Sequence, residues 1–338
     1  MAFINRVVDK VYVINLDKDV ERMEAISGQL RAQGIEFTRF SAIKGAGIKK
    51  SKYLSDFCET LCTDGMKGCA LSHRFIWDDM VANGYERILV LEDDAVLSEN
   101  FNGELEKAWT QLPDDFDLFY LGCNVKCTDT ALVPKLIHKV MNSTPEQLTE
   151  NILSVNGSFG THGYIITKEC AKVFQQLPID THIDLQMEIW TTKFNLNAYS
   201  ITPLIVSTTG NNEGKGSNLT EAYPFLLNKV LRQIPFADTM TFDWSLSENF
   251  AKIGPFNLNG ILAILMVAIL LVPGRWIYPV LFPWLLLEFL FSLDVKNTVK
   301  FLFFIGLAHG IRYTTVSVVW PFAVRSEKAA IKTVKRLL

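Results

Sequence analysis

The sequence lacks several features that would have named a chemistry directly. Its nearest approach to a phosphate-cradling glycine loop, "GAGIKKS" (residues 45–51), does not have the P-loop spacing and follows no clear strand. No serine stands in a nucleophile-elbow pattern and no cysteine has an obvious histidine partner in sequence, so covalent catalysis has little support. No basic stripe with interleaved aromatics runs through residues 1–254, which argues against nucleic acid as a partner. The N-terminal segment, "MAFINRVVDKVYVINL", does not have signal-peptide form, because its apolar run is short and reads as a strand. A cytoplasm-facing domain is therefore expected. Of the six cysteines, Cys58 and Cys62, like Cys123 and Cys127, have three residues between them and no matching pair at zinc-finger spacing. Reduced, partly buried thiols are the expectation for all of them, including Cys69 and Cys170. Internal repeats and long low-complexity tracts are also missing.

What is present divides near residue 255. From there on, nine Lys or Arg stand against three Asp or Glu, a balance of +6, while the first 254 residues carry −9. Residues 256–324 are dense in Leu, Ile, Val, Phe and Trp, whereas residues 1–254 have the composition of a soluble domain. The expected organisation is a main domain over 1–220, an extension over 221–255, hydrophobic helices over 256–324 and a basic tail over 325–338.

Within the first part, strand and helix patterns alternate. "VYVINL" (11–16) is a β-branched run of strand length. "VERMEAISGQLRAQG" follows with Val20, Met23, Ile26 and Leu30 at near-helical spacing and Gly34 as a stop. "EFTRFSAI", "RILVLEDD", "FDLFYLGC" and "NAYSITPLIVSTT" read as further strands. "GCALSHRFIWDDMVANG", "FNGELEKAWTQL" and "DLQMEIWTTKF" read as helices, and "GTHGYIITKECAKVFQQL" as strand then helix. Continuous apolar strands separated by helices predict an α/β fold, a mainly parallel, Rossmann-like sheet flanked by helices on both faces. A polar, glycine-rich stretch, "GNNEGKGSNLTE", predicts a loop. Ligands of such sheets bind at the carboxyl ends of strands.

One of those ends carries Glu92, Asp93 and Asp94, and another carries "NLD" (15–17). Three adjacent carboxylates raise one another's pKa, so something must offset their repulsion. An oxygen-only cluster on a turn suits Mg²⁺ or Mn²⁺, which bind through one or two carboxylates plus substrate phosphates. In that reading Asp94 is the direct ligand, Glu92 meets the metal or the ribose, and Asp93 orients the loop. The bland alternative is that acidic residues follow strands because turns are wet. Asp114, Asp115 and Asp117, which precede a strand, fit that alternative better.

The segments "VYVINLDKDVERM", "TDGMKGCALSHRFIWDDMV", "ILVLEDDAVL", "FDLFYLG", "GTHGYIIT" and "HIDLQM" resemble, in order and spacing over residues 8–220, glycosyltransferase family 25. That family includes bacterial lipopolysaccharide glycosyltransferases and collagen galactosyltransferases. The resemblance implies a GT-A-type transferase with a UDP-sugar donor, a Mn²⁺ or Mg²⁺ ion at the acidic motif, inversion at the anomeric carbon and a glycan or glycolipid acceptor. It implies that Asn15, Asp17 and Arg22 help form the nucleotide site. Ser72 and His73 match the second motif, Glu92, Asp93 and Asp94 the acidic motif, and Asp184 the acidic position on the acceptor side. Two departures stand out. Met66, followed by Lys67, occupies a place where the family often has Glu, and the hydrophobic C-terminal part lies outside the pattern.

A single-step inversion needs a carboxylate to take the acceptor's proton. Asp184 and Glu188, four residues apart, share a helix face, with Asp184 the first choice as base and Glu188 the second. Alternatively, Asp180 caps that helix and the other two are solvated. His73 reads equally as a packing residue or a diphosphate contact, His162 as part of a bulge or a metal or acceptor contact, and Arg22 as a phosphate ligand or a partner of Asp17 or Asp19. In the C-terminal part, residues 256–272, 276–293 and 299–322 are each borderline for a crossing. The expectation is a membrane-associated α-helical region: a two-helix hairpin with the third stretch in the lipid interface and the basic tail on the cytoplasmic side. A wholly interfacial arrangement with no crossing and a hydrophobic assembly surface are the alternatives.

Overall fold

The computed structural model describes residues 1–123, 127, 144–157, 160–208, 226 and 249–315. The described residues divide into two units, one drawn from 1–221 and 231–257 and the other from 222–230 and 258–338. The expected glycine-rich loop (210–221) and basic tail (325–338) lie outside the described residues.

The first unit opens with a short helix, α1 (Ile4–Val7), then β1 (Lys10–Asn15), α2 (Val20–Ala32) and β2 (Thr38–Ser41). Next come α3 (Asp56–Leu61), α4 (Asp64–Asn83), β3 (Arg87–Glu92), β4 (Ala95–Leu97), α5 (Phe101–Trp109) and β5 (Leu118–Gly122). They are followed by β6 (Glu146–Gln147), β7 (Ile152–Val155), β8 (Gly163–Thr167), α6 (Lys168–Gln175), α7 (Ile183–Lys193), β9 (Ala198–Ile201) and β10 (Val206–Thr208). Eight strands form one sheet in the order β2-β1-β3-β8-β5-β9-β7-β6. Taking β1 as forward, β2, β3, β5, β6 and β9 run with it, and β7 and β8 run against it. The sheet is thus mixed but mostly parallel in sense. The stretch read as one strand over 197–209 is two, separated at Pro203, which has no amide hydrogen for a ladder.

Side chains alternate across the sheet as the two-residue strand period demands. Tyr12, Ile14, Ile88, Val90, Leu118, Tyr120, Tyr164 and Ile166 point into one apolar core with Trp77, Phe174 and Trp190 from α4, α6 and α7. Val11, Val13, Leu89, Leu91, Phe119, Leu121 and Ile165 point into the other with Ile26, Leu30, Phe101 and Leu105 from α2 and α5. This three-layer arrangement explains why the strands read as unbroken apolar runs. Both faces are covered.

The longest helix of this unit, α4, starts four residues earlier than its apolar pattern suggests. Thr63 Oγ1 accepts from the Met66 amide (3.2 Å), and Gly84, at φ 73°, ends the helix in the left-handed region. Its N-terminal half touches the loop after β2 backbone to backbone. A Cβ on Gly68 would lie 2.4 Å from the Ile43 carbonyl oxygen, and one on Gly45 would lie 1.6 Å from that of Asp64. The thiol expectation fails for four cysteines, since Cys58–Cys62 and Cys123–Cys127 are disulfides. Their four-residue spacing lets each pair close locally.

β11 (Asn249–Ile253) and β12 (Phe256–Asn259) form a two-stranded ribbon. Three helices follow, α8 (Gly260–Leu271), α9 (Gly274–Ser292) and α10 (Val295–Tyr313). They overturn the expected membrane-crossing hairpin: among the described residues, no helix is long and apolar enough to cross a membrane. A crossing takes about 20 mostly apolar residues. α8 has 12, and the 19-residue α9 and α10 carry Arg275 and Glu288, and Lys296, Lys300 and Arg312, respectively. Glu288 and Lys300 are buried rather than lipid-facing, and Arg312 donates to the Ile269 (2.8 Å) and Val272 (2.6 Å) carbonyls.

The contact of α4 with the loop after β2 yields a test. Gly68→Ala is expected to lower the urea midpoint, by about 1–3 kcal/mol of stability, because the clash is with backbone that cannot rotate away. An unchanged midpoint would show that this approach is loose.

Candidate active site

β1 and β3 are parallel neighbours with Ile14 opposite Glu92, so their carboxyl ends bring Asn15 and the acidic turn together. The Asn15 side chain, almost fully buried, ties three segments. Its Nδ2 donates to Asp93 Oδ2 (2.7 Å) and to the Asp19 carbonyl (2.9 Å), and its Oδ1 accepts from Arg39 Nε (2.8 Å). From the first turn of α2, Arg22 Nη1 lies 3.2 Å from Asp93 Oδ1 and 3.9 Å from Asp94 Oδ2. The guanidinium thus faces the acidic turn, and the Asp19 charge considered from sequence acts on it as well. Asp17 is held on the exposed side by Arg39 Nη2 (2.5 Å) and the Ser41 hydroxyl (2.8 Å), which keep its pKa below the ordinary value.

The three carboxylates have three different environments. Burial raises Asp93, and the Asn15 amide and Arg22 oppose that rise. Burial also raises Glu92, but His73, the Thr161 hydroxyl and His162 outweigh it and hold the carboxyl down, to about 2. Asp94 is pushed up to about 7 by burial and then by the Glu92 charge, with Arg22 acting against both. Its Oδ1 is buried and has no hydrogen-bond partner among the described residues. A buried carboxylate oxygen left without a donor is costly in water-free surroundings, and a cation would satisfy it. The residues therefore fit a hard divalent ion at Asp94, with Glu92 within the same turn.

Asp184 joins this site through a hydroxyl that the sequence reading passed over. Thr161 Oγ1 lies 2.6 Å from Glu92 Oε1 and 2.9 Å from Asp184 Oδ1, so its one proton serves two carboxylates in turn. Asp184 Oδ2 accepts from the Gly160 amide (2.8 Å), and Gly160 has φ 118°, open only to glycine. The signal was present in "GTHGY", where a threonine stands between a glycine and a histidine ahead of an apolar strand. α7 is capped by His182, whose side chain accepts from the Asp184 amide, so Asp180 is not the cap. Glu188, one turn further on, is buried against Gly157.

The second motif is buried behind the turn. Ser72 Oγ accepts from the Ile43 amide (2.8 Å) and donates to the Gly68 carbonyl (2.7 Å), fixing the loop after β2 onto α4. His73 is fully buried, with Nδ1 2.8 Å from the Tyr164 hydroxyl and Nε2 3.7 Å from Glu92 Oε1. His162 packs beside Gly122 and Val206, where burial lowers its pKa. A register shift does occur opposite this segment, but its extra residue is on β5, between Tyr120 and Gly122, and not in the 160–163 stretch considered from sequence. Met66 sits in the apolar core and Lys67 Nζ donates to the Glu59 carbonyl (2.7 Å), so neither replaces the carboxylate often found there.

A polar, carboxylate-rich site at the carboxyl edge of a mixed α/β sheet defines the class. Residues 8–187 match the profile of glycosyltransferase family 25 (LPS biosynthesis protein). The chain belongs to that family. It is 27% identical over 234 residues to a glycosyltransferase 25 family member of Aedes aegypti, covering 59% of this chain and 35% of that one. It is 28% identical to a probable inactive glycosyltransferase 25 family member 3 of Bos taurus, covering 60% and 37%. It is 29% identical to the lipooligosaccharide biosynthesis protein lic2B of Haemophilus influenzae, covering 48% and 60%. The chain spans about a third of the length of the first two of these relatives.

The Asp94 environment has a measurable consequence in metal-free protein. Its folded pKa, about 7, lies above the ordinary 3.8, so the folded state keeps a proton that the unfolded state loses. The wild type therefore loses stability as pH rises from about 4 to 7 through this group. Asp94→Asn is expected to be more stable than wild type at pH 8, by roughly 1–3 kcal/mol, and equal to it near pH 4. Urea unfolding in EDTA at both pH values checks this, and a gain that persists at pH 4 contradicts it.

Proposed function

We propose that this chain moves a hexose, galactose or glucose, from a UDP-sugar to a hydroxyl group of a glycan or glycolipid acceptor, with inversion and with Mn²⁺ or Mg²⁺. The observation that carries the reading is the Glu92–Thr161–Asp184 bridge, which joins the acidic turn to the proposed base. Family membership supports it.

In this mechanism the acceptor oxygen forms a bond to the anomeric carbon while the bond from that carbon to the diphosphate breaks. The electron pair leaves with the diphosphate, and the acceptor's proton passes to the Asp184 carboxylate, with Glu188 as the second candidate. Asp94, with Glu92, would hold the metal, which when bound neutralises charge on the departing diphosphate. Arg22 holds Asp93 and Asp94 in place, the buried Asn15 braces the same turn, and the exposed Asp17 carboxylate offers an acceptor to the nucleotide beside the β1 end. Ser72 and His73, being buried, support the site from behind.

A second reading, a nucleotide- or glycan-binding module without turnover, draws on Met66 in the core and on the relative whose name marks it as probably inactive. The full chain, incubated with UDP-, GDP- and CMP-sugars and Mn²⁺, separates the two. The transferase reading expects slow hydrolysis of one UDP-sugar, reduced about 10²–10⁴-fold in Asp184→Asn and no longer stimulated by metal in Asp94→Asn. Binding of a nucleotide with no donor consumed under any metal overturns it in favour of the module.

A further inference from the structure

We infer that Cys69, His73 and Glu92 form a second cation site, for a thiophilic divalent ion of the zinc class, next to the oxygen-only position at Asp94. The inference does not rest on the transferase reading. Cys69 and His73 stand one helical turn apart on α4, which puts both on one face. Glu92 comes from the end of β3. One ligand atom from each residue lies within 4.8 Å of the others, and no other such group of three or more His, Cys, Asp or Glu occurs among the described residues.

The second observation is the histidine itself. His73 is fully buried, yet its Nε2 has no hydrogen-bond partner among the described residues and faces Glu92 Oε1 across 3.7 Å, too long for a hydrogen bond. Cation–donor bonds of about 2.0–2.3 Å in a tetrahedral site separate donors by roughly 3.3–3.7 Å. The His–Glu spacing already meets that value, and the thiol has at most about 1 Å to travel.

The other ring nitrogen is set for the role. Nδ1 lies 2.8 Å from the Tyr164 hydroxyl, which also accepts from Trp77 Nε1 (3.1 Å). A tyrosine oxygen has two lone pairs, so it can accept from both. Without an ion the imidazole helps hold the Glu92 carboxyl down across 3.7 Å, and with Nδ1–H turned to Tyr164 the Nε2 lone pair is free to meet a cation placed between them. Outer partners of this kind fix ring orientation at metal-ligating histidines. Cys69 is in no disulfide, and Cys69 and Glu92 are only half-buried, which leaves a path for the ion and a fourth position for water. Thiolate, imidazole and carboxylate together select Zn²⁺ over Mg²⁺ or Mn²⁺. Finger spacing does not reveal this site, because its ligands mix one helical turn with a distant strand end.

Titrating the chelator-treated full chain with Co²⁺ and following the thiolate-to-Co²⁺ charge-transfer absorption tests the site. The expected result is a band saturating at one equivalent, displaced by Zn²⁺, retained in Asp94→Asn and lost in Cys69→Ser. No band in the wild type, or a band surviving undiminished in Cys69→Ser, overturns the proposal. Should thermal melting show Cys69→Ser unfolded, Glu92→Gln decides: the band is expected to persist with binding at least about tenfold weaker, and unchanged affinity overturns the proposal.

Discussion

Three consecutive carboxylates close a buried strand, and the structure around them is organised by the need to keep them from repelling one another. At an effective dielectric near 20, two unit charges about 4 Å apart interact by roughly 4 kcal/mol. A single hydrogen bond, worth a net of about 1 kcal/mol, does not offset that. The fold therefore separates the three. Asp93 turns to Asn15 and Arg22, Glu92 to Thr161 and the His73 side, and Asp94 is left buried with one oxygen unpaired. The last of these is the position that a cation completes.

Much of the surrounding architecture supplies those partners. The parallel pairing of β1 with β3 delivers Asn15, and the helix that follows β1 delivers Arg22. The reversed strand β8 delivers Thr161 from the segment just before it and, through the His162 carbonyl, accepts from the Glu92 amide (3.2 Å). The close glycine contact between α4 and the loop after β2 sets the depth of α4, and with it the place of His73. A change at Gly68, well away from any carboxylate, is thus transmitted to the site through rigid backbone.

The alternation of apolar strands and helices was legible because both faces of the sheet are covered, and periodicity survives in α2, α4 and α7. The direction of the strands was less so. Nothing in "GYIIT" distinguishes a reversed β8 from a parallel strand, since burial is the same either way. Asn15, Arg22, Glu92, Asp93, Asp94 and Asp184 were visible as motif residues, and the structure brings them together. Their partners were not visible: the Arg22–Asp93 and Thr161–Asp184 contacts join residues far apart in sequence, and spacing carries no information about such pairs. The C-terminal runs misled for a different reason. Glu288, Lys300 and Arg312 were visible in these runs, but sequence does not show that the helices bury two of them, Glu288 and Lys300. The disulfides were missed because a spacing read only against zinc fingers says nothing about pairing within one turn.

The central claim is that Asp94, whose Oδ1 has no donor among the described residues, anchors a hard cation against a diphosphate. The most direct measurement is a crystal structure of the full chain with Mn²⁺ and UDP, with diffraction data collected at a wavelength where manganese scatters anomalously. The account predicts an anomalous peak bonded to an Asp94 carboxylate oxygen and to the diphosphate, with Arg22 still against Asp93. A nucleotide bound with the manganese peak absent from Asp94 would contradict it.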